Sequence, residues 1–491
     1  MGEPASSCVA RSVSREGAGW IQRENPARTD ELAGRVRADC AASVETTVGL
    51  AAAAQQRWAE TDLEARIARF EAAAAAFEDV ADLADQLARE MGKPIAECEG
   101  EIRFALSLAA DMSQRGRRLL PDADRGAGTA RRIVRRKPHG VVGAIVPWNA
   151  PIILTMTKLA PALVSGNAFV VKPSPLAPVA LTRFIERLAQ GFPAGLVGVV
   201  NGGGEVGDSL VRAPEVARIA FTGGPEVGRT ILRAAAERFI PCVMELGGND
   251  PLVILDDFIP SPDLMEAIVW ASFLNAGQVC MAAKRLFVPK ARARDFTEAY
   301  VETARRLFRI GDPLDRSTNL GPVINAEARD RIERLAADSA ARGGRVVDLV
   351  ADGSVLPATG YFVTPRLATG LDAQAALVRK EQFGPIVPLV TYEDEEDLMP
   401  LIAAGGPILS ASVWSPDLQR AWGIASRIGA GLCLVNAHNR SGFAMDLPFG
   451  GSGGSGYGRE YADEGLLEYS VPQSLHAPAA TGAGAHYPGR D

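Results

Sequence analysis

Cysteine and histidine are both scarce in this chain of 491 residues, which contains six cysteines and four histidines. The cysteines show no paired spacing and predict no disulfide framework, so a reducing compartment, the cytoplasm, is the simplest expectation. Because the histidines stand far in sequence from the central cysteine, Cys280, there is no cysteine–histidine cluster. The sequence therefore predicts no metal site and no cysteine protease pair.

Long apolar runs and excess positive charge are also missing. The uncharged stretch at residues 140–157 is interrupted by Pro147, Asn149 and Pro151, so we expect no membrane span. Arg11 and Arg15 stand where a secretory signal would need an apolar run. The formal net charge is −7, whereas binding to nucleic-acid phosphates requires a basic face. We therefore expect neither a membrane nor a nucleic acid as partner.

Hydrophobic residues make up 47% of the chain and charged residues 23%, which is typical of a globular protein with a sizeable core. Residues 41–120 have apolar positions at helical spacing. Short apolar runs then alternate with amphipathic segments, which predicts an α/β fold with parallel sheets in two domains that meet near Glu245. Predicted strands lie at residues 141–146, 168–171, 197–200, 219–221, 252–255, 285–288, 386–391 and 410–414. Predicted helices lie at residues 151–163, 179–190 and 291–308.

Two segments outside this alternation also carry predictions. The basic stretch at residues 129–137 is interpreted as an edge strand whose charges discourage further pairing. The tail from Ala477 is rich in Ala, Gly and Pro and is predicted to be frayed.

Two glycine-rich turns are candidates for phosphate binding. Residues 202–207 fit the pattern G-x-G-x-x-G after a predicted strand, but no acidic residue is well placed about twenty positions later, so a plain strand-to-helix turn is an equal reading. The second turn, Phe221-Thr222-Gly223-Gly224, leads into a helix that begins near Pro225. Small residues before a helix expose backbone N–H groups to an anion, so this second turn indicates a phosphate site.

Two side chains are candidates for catalysis. Glu245 lies in an apolar stretch beside Gly247 and Gly248, where a carboxylate is costly unless it is paired or functional. Its pKa in such a place can rise toward that of a general base. Cys280 follows Gly277-Gln278-Val279, and a position at a helix start would favour its thiolate. A buried structural residue remains the alternative for each.

Seven motifs in order resemble the aldehyde dehydrogenase superfamily over residues 25–469. They are Pro147-Trp148-Asn149, Lys172-Pro173-Ser174, Phe221-Thr222-Gly223, Glu245-Leu246-Gly247-Gly248, Gly277-Gln278-Val279-Cys280, Glu381-Gln382-Phe383-Gly384-Pro385 and Pro448-Phe449-Gly450-Gly451. The resemblance implies a Rossmann-like NAD(P)-binding domain at residues 1–118 and 140–245, and an α/β catalytic domain at 246–465. It also implies a small β oligomerisation domain at 119–139 and 466–491, and a homodimer or homotetramer.

The resemblance also implies roles for individual residues. Cys280 is the expected nucleophile, Asn149 and the Cys280 N–H form the oxyanion hole, and Glu245 activates the water that hydrolyses a thioester. The expected cofactor-binding residues are Lys172, Ser174, Trp148, Phe221, Thr222, Gly223, Gly224, Val227, Leu246, Glu381 and Phe383. NAD is the expected cofactor. NADP stays open because Pro175 stands where relatives often carry a ribose-binding Glu.

The same comparison predicts an apolar substrate tunnel without a cation. Its expected lining is Ala150, Leu154, Thr157, Leu274, Val279, Met281 and Phe449. Such a lining favours aromatic or medium-chain aldehydes over acetaldehyde or a carboxylate-bearing semialdehyde, although Arg440 and His438 lie in a nearby loop. The alternatives are a CoA-acylating or semialdehyde dehydrogenase of the same superfamily, and a non-catalytic scaffold with the same fold.

Overall fold

The computed structural model describes residues 19–126, 130–351, 353 and 355–477. The frayed tail that the sequence predicts after Ala477 lies outside these residues. None of the described helices is both long enough and apolar enough to cross a membrane.

The chain begins with a hairpin and a layer of four helices. The hairpin pairs β1 (Trp20–Asn25) with β2 (Arg28–Arg37) in antiparallel fashion. The helices are α1 (Ala41–Glu60), α2 (Leu63–Ala75), α3 (Ala81–Met91) and α4 (Ile95–Leu119). The Asp62 side chain caps α2 by accepting from Glu64 N–H, and Gly92 ends α3 at a φ of 82°. Two strands follow, β3 (Ala123–Asp124) and β4 (Arg131–Pro138).

A largely parallel sheet forms the first α/β unit. Its strands in this region are β5 (Val141–Ile145), β6 (Ala168–Lys172), β7 (Val197–Val199), β8 (Val216–Gly223) and β9 (Cys242–Leu246). The connecting helices are α5 (Pro151–Val164), α6 (Val179–Ala189), α7 (Gly204–Arg212) and α8 (Pro225–Ala236). Every residue of β5 and β6 is buried, as expected for a sheet covered on both faces.

A seven-stranded sheet forms the second α/β unit, in the order β12-β13-β14-β11-β10-β15-β16. Its strands are β10 (Pro251–Ile254), β11 (Arg285–Pro289), β12 (Arg345–Asp348), β13 (Arg366–Thr369), β14 (Ile386–Tyr392), β15 (Ser410–Trp414) and β16 (Leu432–Val435). Its helices are α9 (Pro262–Phe273), α10 (Ala293–Leu307), α11 (Ala326–Ala341), α12 (Ala376–Arg379), α13 (Glu395–Ala403) and α14 (Leu418–Ala425). The predicted α/β class with parallel sheets is confirmed.

The last part of the chain returns to the first unit. Strand β17 (Gly456–Tyr457) pairs with β9, so the first sheet has the order β17-β9-β8-β5-β6-β7. The range 246–465, which the sequence assigned to the catalytic domain, therefore contains a strand of the first sheet. Helix α15 (Ala462–Leu467) and strand β18 (Ser470–Ala477) complete the described chain.

Strand β4 is the middle strand of a small sheet, not an edge. The order of this sheet is β18-β4-β3, and all eight residues from Arg131 to Pro138 pair with β18. The edge-strand interpretation of this basic stretch is wrong because the partner, β18, lies more than 300 positions away in sequence, where local charge gives no hint of it. Thr129 itself lies outside the described residues.

The topology brings three of the candidate motifs to one edge of the first sheet. Strands β5, β8 and β9 are parallel neighbours, and their carboxyl ends lead into Pro147-Trp148-Asn149, into Gly223-Gly224 and into Gly247-Gly248. In open parallel sheets, ligands bind outside this edge. The fold therefore places these turns where a shared site can form.

Candidate active site

Two cavities meet at Cys280 and Asn149. The larger one, of about 430 Å³, lies at the carboxyl edge of the first sheet. The smaller one, of about 290 Å³, lies between α4, α5 and the segments around Arg440 and Phe449. Both Cys280 and Asn149 line both cavities, so a group bound in either one reaches the same thiol.

A rigid loop presents Cys280. The chain turns at Asn275, Ala276 and Gly277, whose φ angles are 50°, 54° and 73°. Gly277 is required there because a Cβ would lie 2.5 Å from the Gly384 carbonyl oxygen. The fully buried Gln278 side chain donates to Asn275 O at 3.1 Å and accepts from Ile324 N–H at 2.9 Å. These contacts fix the conformation of this turn.

Cys280 does not start a helix. It lies in a turn after the short 3-10 helix Leu274–Gly277, so the expectation that a helix dipole favours its thiolate is wrong. Burial instead raises the pKa of the Cys280 thiol to about 12, and the Lys284 ammonium is the group that opposes this rise. The free protein therefore holds a protonated thiol that must be activated.

Asn149 connects the loop after β5 to the nucleophile loop. Its Nδ2 donates to the Gln278 carbonyl oxygen at 3.0 Å, and its own carbonyl oxygen accepts from Asn275 Nδ2 at 3.2 Å. One amide N–H of Asn149 remains for another acceptor beside Cys280. An amide N–H beside the thiol is the kind of donor that an oxyanion hole uses.

Glu245 is not among the described residues that line either cavity, although the next residue, Leu246, lines the larger one. Neither of its carboxylate oxygens has a hydrogen-bond donor of good geometry among the described residues. A Cβ on Gly450 would lie 2.9 Å from Glu245 Oε1, so the glycine leaves room for the carboxylate. Burial raises the pKa of Glu245 well above its usual range, Glu460 raises it further, and Lys158 opposes the shift. A carboxylate with raised pKa and free oxygens suits a general base.

Glu460, the neighbour of Glu245, is itself held in a buried ion pair. Lys158 Nζ lies 2.5 Å from Glu460 Oε1 and donates to Thr222 Oγ1 at 2.7 Å. Both charged side chains are at most 1% exposed. Glu460 also lines the smaller cavity, which the sequence did not indicate.

Most of the expected cofactor-binding residues line the larger cavity. Those that line it are Trp148, Thr222, Gly223, Gly224, Leu246, Glu381 and Phe383. The remaining four are not among the described residues of its lining. The Phe221 ring is buried behind Gly223, whose Cβ would lie 2.6 Å from it, and Val227 is 54% exposed on α8. Lys172 and Ser174 lie at and just beyond the end of β6.

These residues fit a dinucleotide. The Trp148 and Phe383 rings, which both line the cavity, meet edge to face with centroids 5.8 Å apart. Gly224 leaves open space at the N-terminus of α8, where backbone N–H groups favour a phosphate. Lys172 Nζ is bonded to the Pro173 carbonyl oxygen at 2.9 Å, and burial lowers its pKa to about 8. Arg331, which sequence reasoning missed, lines the cavity, and its buried Nε has no hydrogen-bond partner among the described residues.

The pattern at residues 202–207 is a packing turn. Gly202 precedes α7, and a Cβ there would lie 2.2 Å from the Val206 side chain. None of the glycines of this turn is among the described residues that line the larger cavity. The pattern is therefore explained as a plain turn between a strand and a helix.

The smaller cavity contains five of the seven predicted tunnel residues. These are Ala150, Leu154, Val279, Met281 and Phe449. Thr157 lies one turn beyond Leu154 on α5 and donates to the Leu154 carbonyl oxygen at 3.1 Å, and it is not part of the described lining. Leu274 is also outside it, because the chain reverses directly after this residue.

Aromatic side chains that the sequence did not indicate close this cavity. Phe443 and Tyr461 meet with ring centroids 4.6 Å apart, and Phe104 meets Phe443 at 6.0 Å. Phe104 lies more than 300 positions before Phe443 and Tyr461 in sequence, so only the fold brings it to them.

The expectation of a lining without a cation is wrong. Arg440 and Lys93 both line the smaller cavity. Lys93 forms a buried ion pair with Glu101. The Arg440 guanidinium forms no hydrogen bond or ion pair within the described chain. Arg440 is nevertheless near enough to Glu97 to oppose the rise in pKa that burial causes in that carboxyl.

A comparison with known proteins now decides the family. The model of the aldehyde dehydrogenase family matches residues 13–475. The chain belongs to the aldehyde dehydrogenase family. Like its relatives, this aldehyde dehydrogenase is an oxidoreductase that uses NAD or NADP.

Curated relatives and solved structures agree with the family assignment. A probable succinate-semialdehyde dehydrogenase [NADP(+)] of Sinorhizobium fredii is 33% identical over 457 residues, covering 91% of this chain and 90% of the relative. A geranial dehydrogenase of Castellaniella defragrans is 33% identical and covers 94% of this chain and 97% of the relative. The crystal structure of PnpE with nicotinamide adenine dinucleotide has a TM-score of 0.89 at 30% identity, covering 96% of each chain.

Proposed function

We propose that this aldehyde dehydrogenase oxidises an aldehyde to the carboxylic acid through a thioester on Cys280. The observation that carries the proposal is the shared position of Cys280 and Asn149 between an apolar cavity and a cavity that fits a dinucleotide. An aldehyde that enters from one side and a nicotinamide that enters from the other meet at the same sulfur.

The residues act in sequence on the carbonyl carbon. Cys280 Sγ gives its proton to water and attacks this carbon, and the resulting oxyanion is stabilised by the Asn149 amide and the Cys280 N–H. A nicotinamide held between Trp148, Phe383 and Glu381 in the larger cavity would supply the hydride acceptor, and loss of hydride from the same carbon would leave a thioester on Cys280. Glu245 takes a proton from water, and the hydroxide adds to the thioester and displaces the thiol. The products are the acid, the reduced cofactor and the free enzyme.

Several residues are proposed to hold the cofactor. Glu381 and Lys172 are suited to ribose hydroxyls, since each places a charged group at the end of a buried stem. The turn Thr222-Gly223-Gly224, with Leu246 behind it, is suited to the phosphates. Phe221 and Val227 would shape that turn from outside the cavity, and Ser174 would lie near the adenosine end. The absence of a carboxylate at Pro175 leaves room for NAD and NADP alike.

The proposed substrate is an aromatic or medium-chain apolar aldehyde. Ala150, Leu154 and Met281 line the smaller cavity together with the aromatic group of Phe104, Phe443, Phe449 and Tyr461. Burying apolar surface contributes roughly 25 cal/mol per Å², so a ring or chain that fills the cavity binds better than acetaldehyde.

A semialdehyde with an anionic end is the second candidate. The observation that favours it is the Arg440 guanidinium in the cavity lining, which forms no hydrogen bond or ion pair with the described residues and suits a carboxylate. Two of the relatives are named as succinate-semialdehyde dehydrogenases that use NADP(+). The apolar remainder of the lining is the reason to rank this candidate second.

Two further alternatives are disfavoured by the same residues. A CoA-acylating enzyme would lose its thioester to water activated by Glu245, and a scaffold would have no use for Cys280, Asn149 and Glu245 together. The test is reduced-nicotinamide absorbance after mixing protein, aldehyde and NAD⁺ or NADP⁺, with and without CoA. Turnover without CoA that Cys280→Ala abolishes, with cofactor binding retained, supports the proposal. Substantial turnover in Cys280→Ala contradicts it.

We also propose a homodimer or homotetramer in a reducing cytoplasm. The edge of β18 carries Val471 and Leu475, which are 45% and 40% exposed, and such an edge invites a second copy. The five described cysteines are all free thiols, as expected in a reducing compartment.

A further inference from the structure

One buried ammonium group, that of Lys284, contacts the loop that carries Cys280. Lys284 is 1% exposed, and its Nζ donates to the carbonyl oxygens of Val279 at 2.7 Å and of Cys280 at 2.9 Å. Its backbone is held on both sides, because Lys284 N–H donates to Asp250 O at 2.9 Å and Gln382 Nε2 donates to Lys284 O at 3.1 Å. The ammonium is therefore held next to the backbone of Cys280.

The same ammonium also reaches the wall of the larger cavity. Lys284 Nζ lies 3.3 Å from Glu381 Oε1 and 5.9 Å from the centroid of the Phe383 ring, and both of these residues line that cavity. Glu381 Oε1 is buried and has no hydrogen-bond donor of good geometry among the described residues. Glu381 in turn lies against Gly247, where a Cβ would be 2.2 Å from its Oε2.

The charges that act on Cys280 have opposite signs. Lys284 favours the thiolate, whereas three carboxylates and burial disfavour it, and the Tyr461 hydroxyl also lies within electrostatic range. The three carboxylates belong to Glu381, Asp250 and Glu245. The positive charge of Lys284 thus offsets the effect of these carboxylates on the Cys280 thiolate.

We propose that Lys284 is a positioning residue that couples the reactivity of Cys280 to the state of Glu381. In the free enzyme Glu381 draws the ammonium toward the larger cavity. Hydroxyl groups of a bound ribose would donate to the Glu381 oxygens, and Glu381 would then attract Lys284 less strongly. The Lys284 ammonium would then interact mainly with the nucleophile loop. This step rests on the proposed function, in which Glu381 holds the cofactor.

The test measures alkylation of Cys280 by iodoacetamide in the cofactor-free enzyme as a function of pH, with mass analysis of the peptide that carries Cys280. Lys284→Gln keeps a donor to the loop but removes the charge, and we expect it to slow alkylation about tenfold, which equals one pKa unit. Glu381→Gln removes the opposing charge, and we expect it to speed alkylation several-fold. Lys284→Arg should restore the profile of the unaltered protein. Lys290→Met, which removes an exposed cation close in sequence, should leave the profile unchanged.

A folded Lys284→Gln protein with an unaltered pH profile would overturn the coupling, and so would slower alkylation in Glu381→Gln. If Lys284→Gln fails to fold, Lys284→Met supplies the neutral variant, because Glu381→Gln also removes a carboxylate that acts on Cys280 directly. Loss of turnover in Cys280→Ala tests the proposed function separately. An unaltered profile together with that loss would contradict only the role of Lys284.

Discussion

The Asn149 side-chain amide donates to the Gln278 carbonyl oxygen at 3.0 Å, two residues before the nucleophile Cys280. This contact joins the two α/β units, because Asn149 follows β5 of the first sheet and Gln278 precedes β11 of the second. The amide that is proposed to stabilise the oxyanion therefore has its orientation set by the loop that carries the thiol.

Asn149→Ala should lower kcat strongly without removing the thiol. Loss of one donor from an oxyanion hole typically costs roughly 10²-fold or more in kcat. We expect a fall of that size in steady-state turnover, with cofactor affinity within a few-fold of the unaltered protein. A kcat within threefold of the unaltered protein would show that the Cys280 N–H is sufficient alone.

Arg440→Gln should separate the two substrate candidates. If the substrate carries a carboxylate at its far end, loss of the guanidinium should lower kcat/KM for succinic semialdehyde at least tenfold and leave benzaldehyde nearly unchanged. For an apolar substrate, both values should stay within about twofold, and aromatic aldehydes should remain preferred. Arg427→Gln is the matched control, because Arg427 is exposed and lies outside the described lining of the cavity.

Lys172→Met should stabilise the fold and weaken the binding of the cofactor. Burial lowers the pKa of Lys172 from 10.5 to about 8, so folding releases a proton between these values. The free energy of unfolding of the unaltered protein therefore rises as the pH increases through this window. Below it, removal of the charge should add up to about 3 kcal/mol.

Chemical denaturation near pH 7 and near pH 10 checks this, since the gain should shrink at the higher pH. Titration with NADP⁺ should show weaker binding by Lys172→Met. A variant that is less stable near pH 7 and binds NADP⁺ normally would contradict both the charge penalty and the cofactor role.

Light scattering at micromolar concentration tests the oligomer. We expect the mass of a dimer or tetramer for the unaltered protein, and a smaller assembly for Leu475→Lys, which places a charge on the edge strand β18. Leu50→Lys on α1 is the control, since Leu50 is 58% exposed and lies on a helix. A monomeric unaltered protein would contradict the proposal.

Local signals in the sequence predicted the parts of the fold that are local. Strand β6 and helix α5 were placed within a residue or two, because continuous burial and helical spacing leave direct traces in the chain. Local signals did not predict the middle position of β4 or the return of β17 to the first sheet, because each depends on a partner hundreds of residues away; only the resemblance grouped the segment of β4 with that of β18.

The site shows the same division. The residues on motif turns, such as Asn149 and Glu381, could be named from the resemblance and line the cavities. The contributions of Phe104 and Arg331 could not be named, since a side chain on a helix gives no sign of which cavity it will face; Arg440 was named only as a residue of a nearby loop. The protonated state of Cys280 follows from burial, which no spacing of residues reveals.

The central claim is that Cys280 carries the acyl group and Glu245 releases it, and Glu245→Gln isolates this intermediate. Rapid mixing of this variant with NAD⁺ or NADP⁺ and an aromatic aldehyde should give a burst of about one reduced cofactor per site, followed by little turnover. Mass analysis of the quenched protein should find the acyl group on the peptide that contains Cys280. Steady turnover equal to the unaltered protein, or an acyl group on another residue, would contradict the account.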